Sequence, residues 1–197
     1  MKKILRYIIL GLAVLNCSPQ KEEQANQYYE VPNLNPSDTL FLTSLTPYEL
    51  GAPFAYLNQK GDTMIPVNRF AHSFSDTIVT YGIVIEKNGD QYDLIGINQK
   101  GQRLYEVYWF DNGPDYISDS LFRVKQNGKI GFANTKGQVV IKPEYQCAYP
   151  FENGRAKVTH DCHLVSDGTE HYTMKSSSWF FINKEGERIR ESGSRNE

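Results

Sequence analysis

The chain has 197 residues, of which 40% are hydrophobic and 22% charged, with 13 Tyr, 10 Phe and 2 Trp. That is enough apolar material for a core, so wholesale disorder is excluded. A formal charge of −2 excludes a dedicated nucleic-acid binder, which carries a basic footprint, and three cysteines are too few for a disulfide-stapled miniprotein. In chain order, the first feature is a basic start, Lys2, Lys3 and Arg6, followed by an apolar run from Tyr7 to Leu15 broken only by Gly11. The run is too short for a lone helix to span about 30 Å of hydrocarbon, and it fits the apolar core of a signal peptide over 1–16.

Cys17 follows at once. The segment Leu12-Ala13-Val14-Leu15-Asn16-Cys17 resembles a bacterial lipobox, with Asn16 where a small residue is usual. The resemblance implies cleavage before Cys17 and acylation of its thiol and new amino group. Ser18-Pro19-Gln20-Lys21-Glu22-Glu23-Gln24, polar and then acidic, is similar to the export signal of surface lipoproteins in the Bacteroidota. Together these imply a bacterial cell-envelope protein, lipid-anchored to the outer membrane at its periplasmic face or at the cell surface. Each buried CH₂ contributes about 0.8 kcal/mol, so more than one acyl chain holds firmly. Losing residues 1–16 removes three bases and no acid, which leaves 18 bases against 23 acids, near −5. A chain of that charge is repelled by anionic lipid, so the expected membrane contact is through the anchor alone. Residues 18–38 are rich in Gln, Asn, Glu and Pro, and Pro32 and Pro36 bar a helix. With Cys17 they read as a flexible tether over 17–38.

The remainder repeats. One phrase appears as Phe54-Ala55-Tyr56-Leu57-Asn58-Gln59-Lys60-Gly61 and as Leu94-Ile95-Gly96-Ile97-Asn98-Gln99-Lys100-Gly101. It returns as Ile130-Gly131-Phe132-Ala133-Asn134-Thr135-Lys136-Gly137 and as Trp179-Phe180-Phe181-Ile182-Asn183-Lys184-Glu185-Gly186. An apolar run ending in Asn-x-(Lys/Glu)-Gly is a strand entering a turn, because the Asn side chain bonds nearby backbone and Gly supplies positive φ. A hairpin with a bulge fits the spacing. Alternation in Leu121-Phe122-Arg123-Val124-Lys125 and Ala156-Lys157-Val158 has the period of half-buried strands. No window shows helical periodicity, and the aromatic and β-branched content agrees with strands.

The stretch from Lys129-Ile130-Gly131-Phe132 through Val139-Val140-Ile141-Lys142-Pro143-Glu144-Tyr145 and Phe151-Glu152-Asn153-Gly154-Arg155-Ala156-Lys157-Val158 resembles the WG repeat. Ile130 stands in the place of the name-giving Trp. The resemblance implies an all-β array of about three and a half short antiparallel meanders over 39–190. Its copies lie near 50–89, 90–128, 129–160 and 178–190, with a disordered tail at 191–197. Such arrays are quasi-one-dimensional and serve as binding surfaces or spacers. No catalytic residue is implied.

Chemistry in the array is sparse. Cys147 and Cys162 flank the loop Pro150-Phe151-Glu152-Asn153-Gly154 almost symmetrically; a hairpin would bring them together, and an oxidising envelope would favour a disulfide. The tract His160-Asp161-Cys162-His163, with His171 beyond, is the one place resembling metal ligands. On one strand His163 points away from His160 and Cys162, and no second Cys/His pair stands at finger spacing. It reads as a polar insertion over 161–177, and no metal is expected; His72 is lone. Signatures for a serine nucleophile elbow, a phosphate loop or a zinc protease are absent.

In the second copy, Asp111, Asp115 and Asp119 cluster with Trp109 and Tyr116. Aromatics beside carboxylates suit a sugar, and carboxylates alone suit calcium, although Asp, Asn, Gly and Pro in such a run are also turn formers. This loop is the expected recognition edge. The sequence therefore points to a binding or structural module without enzymatic activity or cofactor, whose partner is an envelope protein or glycan and not nucleic acid. The competing expectations are a glycan hydrolase using two converging carboxylates and an immunity or inhibitor protein.

Overall fold

The computed structural model describes residues 39–44, 46, 51–166, 168 and 172–190. The segments expected to be a signal peptide (1–16), a lipidated Cys17 with its tether (17–38) and a tail (191–197) lie outside the described residues. Among the described residues the regular structure is entirely β and antiparallel, arranged as four three-stranded meanders. The first consists of β1 (Leu40–Ser44), β2 (Phe54–Leu57) and β3 (Thr63–Ile65), followed by the short β4 (His72–Ser73) and β5 (Thr77–Ile78). The second is β6 (Gly82–Asn88), β7 (Gln91–Ile97) and β8 (Arg103–Val107), followed by a small ribbon, β9 (Trp109–Phe110) and β10 (Gly113–Pro114). The third is β11 (Leu121–Gln126), β12 (Lys129–Asn134) and β13 (Val139–Tyr145), followed by β14 (Cys147–Ala148). The fourth opens with β15 (Ala156–Thr159), is interrupted by a ribbon of β16 (His163–Ser166) and β17 (Tyr172–Lys175), and closes with β18 (Phe180–Ile182) and β19 (Arg188–Ile189).

The second and third meanders join through β8 and β11 in one sheet of order β13-β12-β11-β8-β7-β6-β4. The first lies in a sheet of order β3-β2-β1-β5 and the fourth in one of order β14-β15-β18-β19. Counted by strands, each unit begins one strand before the repeated phrase, which occupies the middle strand. The fourth unit therefore has all three strands, and the insertion lies within its first hairpin.

Two turns make the third meander, and the second of them recurs in all four. Between first and second strands, Asn127 and Gly128 both take positive φ (50° and 73°) and close Gln126 against Lys129, the twist that suits a two-residue hairpin. Between second and third strands the Asn turn recurs unchanged four times. Asn134 Oδ1 accepts the N–H of Lys136 and Gln138, at 2.9 and 3.1 Å, and its Nδ2 donates to Gln138 Oε1 at 3.0 Å. Asn58, Asn98 and Asn183 make the same three bonds with Lys60 and Asp62, Lys100 and Gln102, and Glu185 and Glu187. The pairing register shifts after this turn in the first three units, as a bulge does.

Burial follows the array. Among the described residues three apolar clusters occupy the three junctions between four units. Leu40, Tyr56, Ile78, Val84, Ile95 and Ile97 join the first unit to the second. Leu94, Leu104, Tyr105, Phe122, Val124 and Ala133 join the second to the third. Ile130, Phe132, Tyr145, Phe151, Val158 and Ile182 join the third to the fourth. A middle strand feeds both neighbours: β7 sends Ile95 and Ile97 one way and Leu94 the other. For the same reason β11 is not half-buried. Leu121, Phe122, Arg123 and Val124 are all buried, because clusters cover both of its faces.

Candidate functional site

The loop between the second and third units is built by backbone pairing. Tyr108 N–H donates to the Arg123 carbonyl at 3.0 Å, and Asp115 N–H donates to the Tyr108 carbonyl at 2.9 Å. Within that frame β9 and β10 pair Phe110 with Gly113 and Trp109 with Pro114. Asp111, with φ 53°, turns the tip, and its carbonyl accepts Trp109 Nε1 at 2.8 Å. The result is a ribbon along which Trp109, Phe110, Tyr116 and Ile117 are 46, 48, 50 and 55% exposed. The rings of Phe110 and Tyr116 meet edge to face at 5.4 Å.

The three aspartates do not converge. Asp111 is exposed at the tip. The Asp115 side chain is fully buried and grips Arg123, whose own side chain is 3% exposed. Arg123 donates from Nε to Oδ2 at 2.9 Å, from Nη2 to Oδ1 at 2.5 Å, and from its backbone N–H to Oδ2 at 2.8 Å. Its Nη1 donates to the Ala148 carbonyl at 3.1 Å, and the guanidinium lies 4.0 Å from the Tyr108 ring centre. Asp119 faces the following units: Oδ2 accepts Gly154 N–H at 2.7 Å and its carbonyl accepts Lys184 Nζ at 2.8 Å. Trp109 and Tyr116 thus share the ribbon with Phe110 and Ile117. Asp115 and Asp119 hold the ribbon's base and the unit corner.

Arg123 is the residue that sequence patterning missed. Within Leu121-Phe122-Arg123-Val124 the Arg reads as the solvent-facing member of an alternating strand. The available signal was an acid eight residues earlier, across a turn whose Asp119 and Ser120 both take positive φ. The first unit places Ser75 in the same relation, with its Oγ accepting Ile83 N–H at 2.9 Å.

Other acids are also engaged. Arg103 lies 2.9 Å from Asp93 and 3.1 Å from Glu106, and Arg69 lies 2.7 Å from Glu86. Cys147 and Cys162 form a disulfide, with Cα atoms 5.9 Å apart, so neither offers a thiolate. His160 packs against the rings of Tyr145 and Phe180 at 5.1 and 5.5 Å. His163 is exposed in β16, and His171 lies outside the described residues. Among the described residues no group of three or more His, Cys, Asp or Glu is placed to hold a metal ion. His72 meets Phe74 edge to face at 4.8 Å, and burial lowers its pKa.

Residues 130–161, from β12 to just beyond β15, match the WG containing repeat family. No curated protein and no solved structure matches the chain.

Proposed function

From an all-β chain that carries a WG repeat, we infer a cell-envelope lipoprotein whose ectodomain is a binding module, with the Trp109–Ile117 ribbon as its recognition edge. The observation that carries this reading is the half-exposed pair Phe110 and Tyr116, in edge-to-face contact, with Trp109 and Ile117 equally exposed beside them, on a loop braced by Asp115 and Arg123. Exposed aromatic rings in contact are a common mark of a binding site, and loops on a rigid scaffold are where partners bind. The divergence of Asp111, Asp115 and Asp119 favours binding over two-carboxylate hydrolysis, which needs a facing pair about 5–10 Å apart. The basic start, the apolar run and Cys17 support a lipid anchor to the outer membrane. The partner is an envelope protein or glycan.

The test places a photo-crosslinking residue at position 110 in intact cells, with position 92 as a control. One discrete adduct from position 110, absent from position 92 and lost on Trp109→Ala, is the expected result. No adduct, or equal adducts from both positions, would overturn the recognition edge. Mass spectrometry of the mature N-terminus should find acylated Cys17; an unmodified terminus elsewhere would remove the anchor.

A further inference from the structure

The fourth unit is the last among the described residues, and arginines and a lysine on it pair with no acid. Ala156, Val158 and Ile182 point into the junction with the third unit. Alternation therefore sends Lys157 and Phe181 outward. In the register Lys157 stands opposite Phe181, and Phe181 opposite Ile189. The Arg155 guanidinium lies 4.6 Å from the Phe181 ring centre and Lys157 Nζ lies 5.3 Å from that of Trp179. Arg188 stands opposite inward-facing Ile182, on the other side of the edge strand β19, and lies 4.6 Å from the Phe180 ring centre; the second groove wraps this edge, so Arg188 and Arg190 line it together with Lys157. Trp179 meets Tyr149 at 5.4 Å. Two grooves, of about 420 and 630 Å³, run along the unit and share Lys157 and Phe181.

Among the described residues of the other units the arginines are matched to acids: Arg69 to Glu86, Arg103 to Asp93, Arg123 to Asp115. Among the described residues Arg155, Lys157, Arg188 and Arg190 make no ion pair. Glu152 is the single acid lining the two grooves. A chain with more acids than bases thus lines these two grooves with four cations and one acid, and three of the cations rest on rings.

We propose that this face binds an acidic oligosaccharide of the uronic acid type. The rings hold the cations in place before a ligand arrives, which lowers the ordering cost of binding. Guanidinium donors suit a sugar carboxylate, which they engage in pairs. Half-buried Trp179 and exposed Tyr149 offer apolar surface to the C–H face of a pyranose ring. A uronide carries one charge per sugar, matching cations spread along two grooves. Nucleic acid is charged more densely and is disfavoured by the chain's overall acidity. The assignment rests on the binding-module reading but uses a surface separate from the Trp109 ribbon, so either fails without the other.

The test titrates the full-length lipoprotein in detergent with tetragalacturonate, neutral galactotetraose and a thymidine oligonucleotide of equal charge. Binding is followed by calorimetry and, in a Trp109→Phe background, by Trp179 emission. Tetragalacturonate should bind and shift the emission, with the neutral sugar weaker by about tenfold or more. The pair Arg155→Gln and Lys157→Gln should weaken uronide binding by about tenfold, while Arg155→Lys with Lys157→Arg keeps most of it. Arg188→Gln with Arg190→Gln gives an independent loss should the first pair disturb the unit. Equal binding of the neutral sugar would overturn the proposal. So would unchanged affinity in both Gln pairs, or an oligonucleotide that binds as tightly as the uronide. A loss at position 110 crosslinking with uronide binding intact would overturn the recognition edge alone.

Discussion

At the scale of single residues, the decisive group is the buried pair Asp115–Arg123. Two side-chain bonds at 2.9 and 2.5 Å, a backbone N–H onto the same carboxylate and a bond to the Ala148 carbonyl satisfy both charges where little water reaches. Taking two charges out of water is costly, and the geometry recovers the cost only while both partners stay. Asp115→Ala should therefore cost about 3–5 kcal/mol in urea unfolding, because it strands the guanidinium. Asp115→Leu with Arg123→Met should recover most of that. If Asp115→Ala left stability unchanged and removed ligand binding, the aspartate would belong to the recognition edge. Tyr105 gives a second residue-scale expectation. Its hydroxyl donates to the Gly137 carbonyl at 3.0 Å, and burial, followed by the neighbouring Tyr81, pushes its pKa well above the ordinary tyrosine value. The unfolded chain releases this proton near pH 10 and the folded chain holds it, so stability is intact below about pH 10 and falls as pH rises beyond it. Tyr105→Phe should cost about 1 kcal/mol at neutral pH, for the lost bond. That deficit should shrink above about pH 10, where the wild type alone loses stability through this group. Thermal unfolding at a series of alkaline pH values checks it; a deficit constant with pH would refute it.

At the scale of elements, the Asn turn explains why the repeat is visible in a degenerate sequence. One side chain makes three bonds within five residues and aligns two strands, so the requirement is local. Asn134→Ala removes all three and should cost about 1–2 kcal/mol; Asn134→Asp keeps the acceptor, loses the donor to Gln138, and should cost less. Gly137→Ala should cost more than either. Its φ is +79°, and a Cβ would come within 2.5 Å of the Tyr81 ring from the neighbouring unit. Melting temperatures should rank Asp above Ala at 134, and both above Ala at 137; any other order would mean the turn is held by its neighbours. The same contrast marks what the sequence revealed and what it hid. The turn, its Gly and the all-β class were legible because side chain, backbone and period lie within one strand. Gly131 was legible as a repeat letter but not as a cause. A Cβ there would strike the backbone of β13 at Lys142 and Pro143, a close approach set by pairing across the hairpin. Burial of Arg123 was hidden for a similar reason, since cover on the second face of β11 comes from other units.

At the scale of the whole molecule, four units with three junction clusters make stability a sum of neighbour terms, and terminal units should open first. Four copies of the phrase were legible in the sequence; the completeness of the fourth unit and the phase of all four were not, because nothing in the repeated phrase says which strand begins a unit. That phase matters for the disulfide. Cys147 lies in β14 and Cys162 at the start of the insertion inside the fourth unit, so the bond closes a loop of 15 residues around β15. It bridges the last junction, where Ala148, Phe151, Ala156, Val158 and Ile182 supply the apolar contact. A loop of this length is worth about 3 kcal/mol in the chain-entropy account. In a fully cooperative domain, that loss would lower protection everywhere. In an array it should be local. Hydrogen exchange of Cys147→Ser with Cys162→Ser should show faster exchange in β15, β18 and β19, while β6, β7 and β8 keep wild-type protection. A uniform increase across all four units would instead show that the junctions couple the array into a single folding unit, and that the end carrying the cationic face is no looser than the middle.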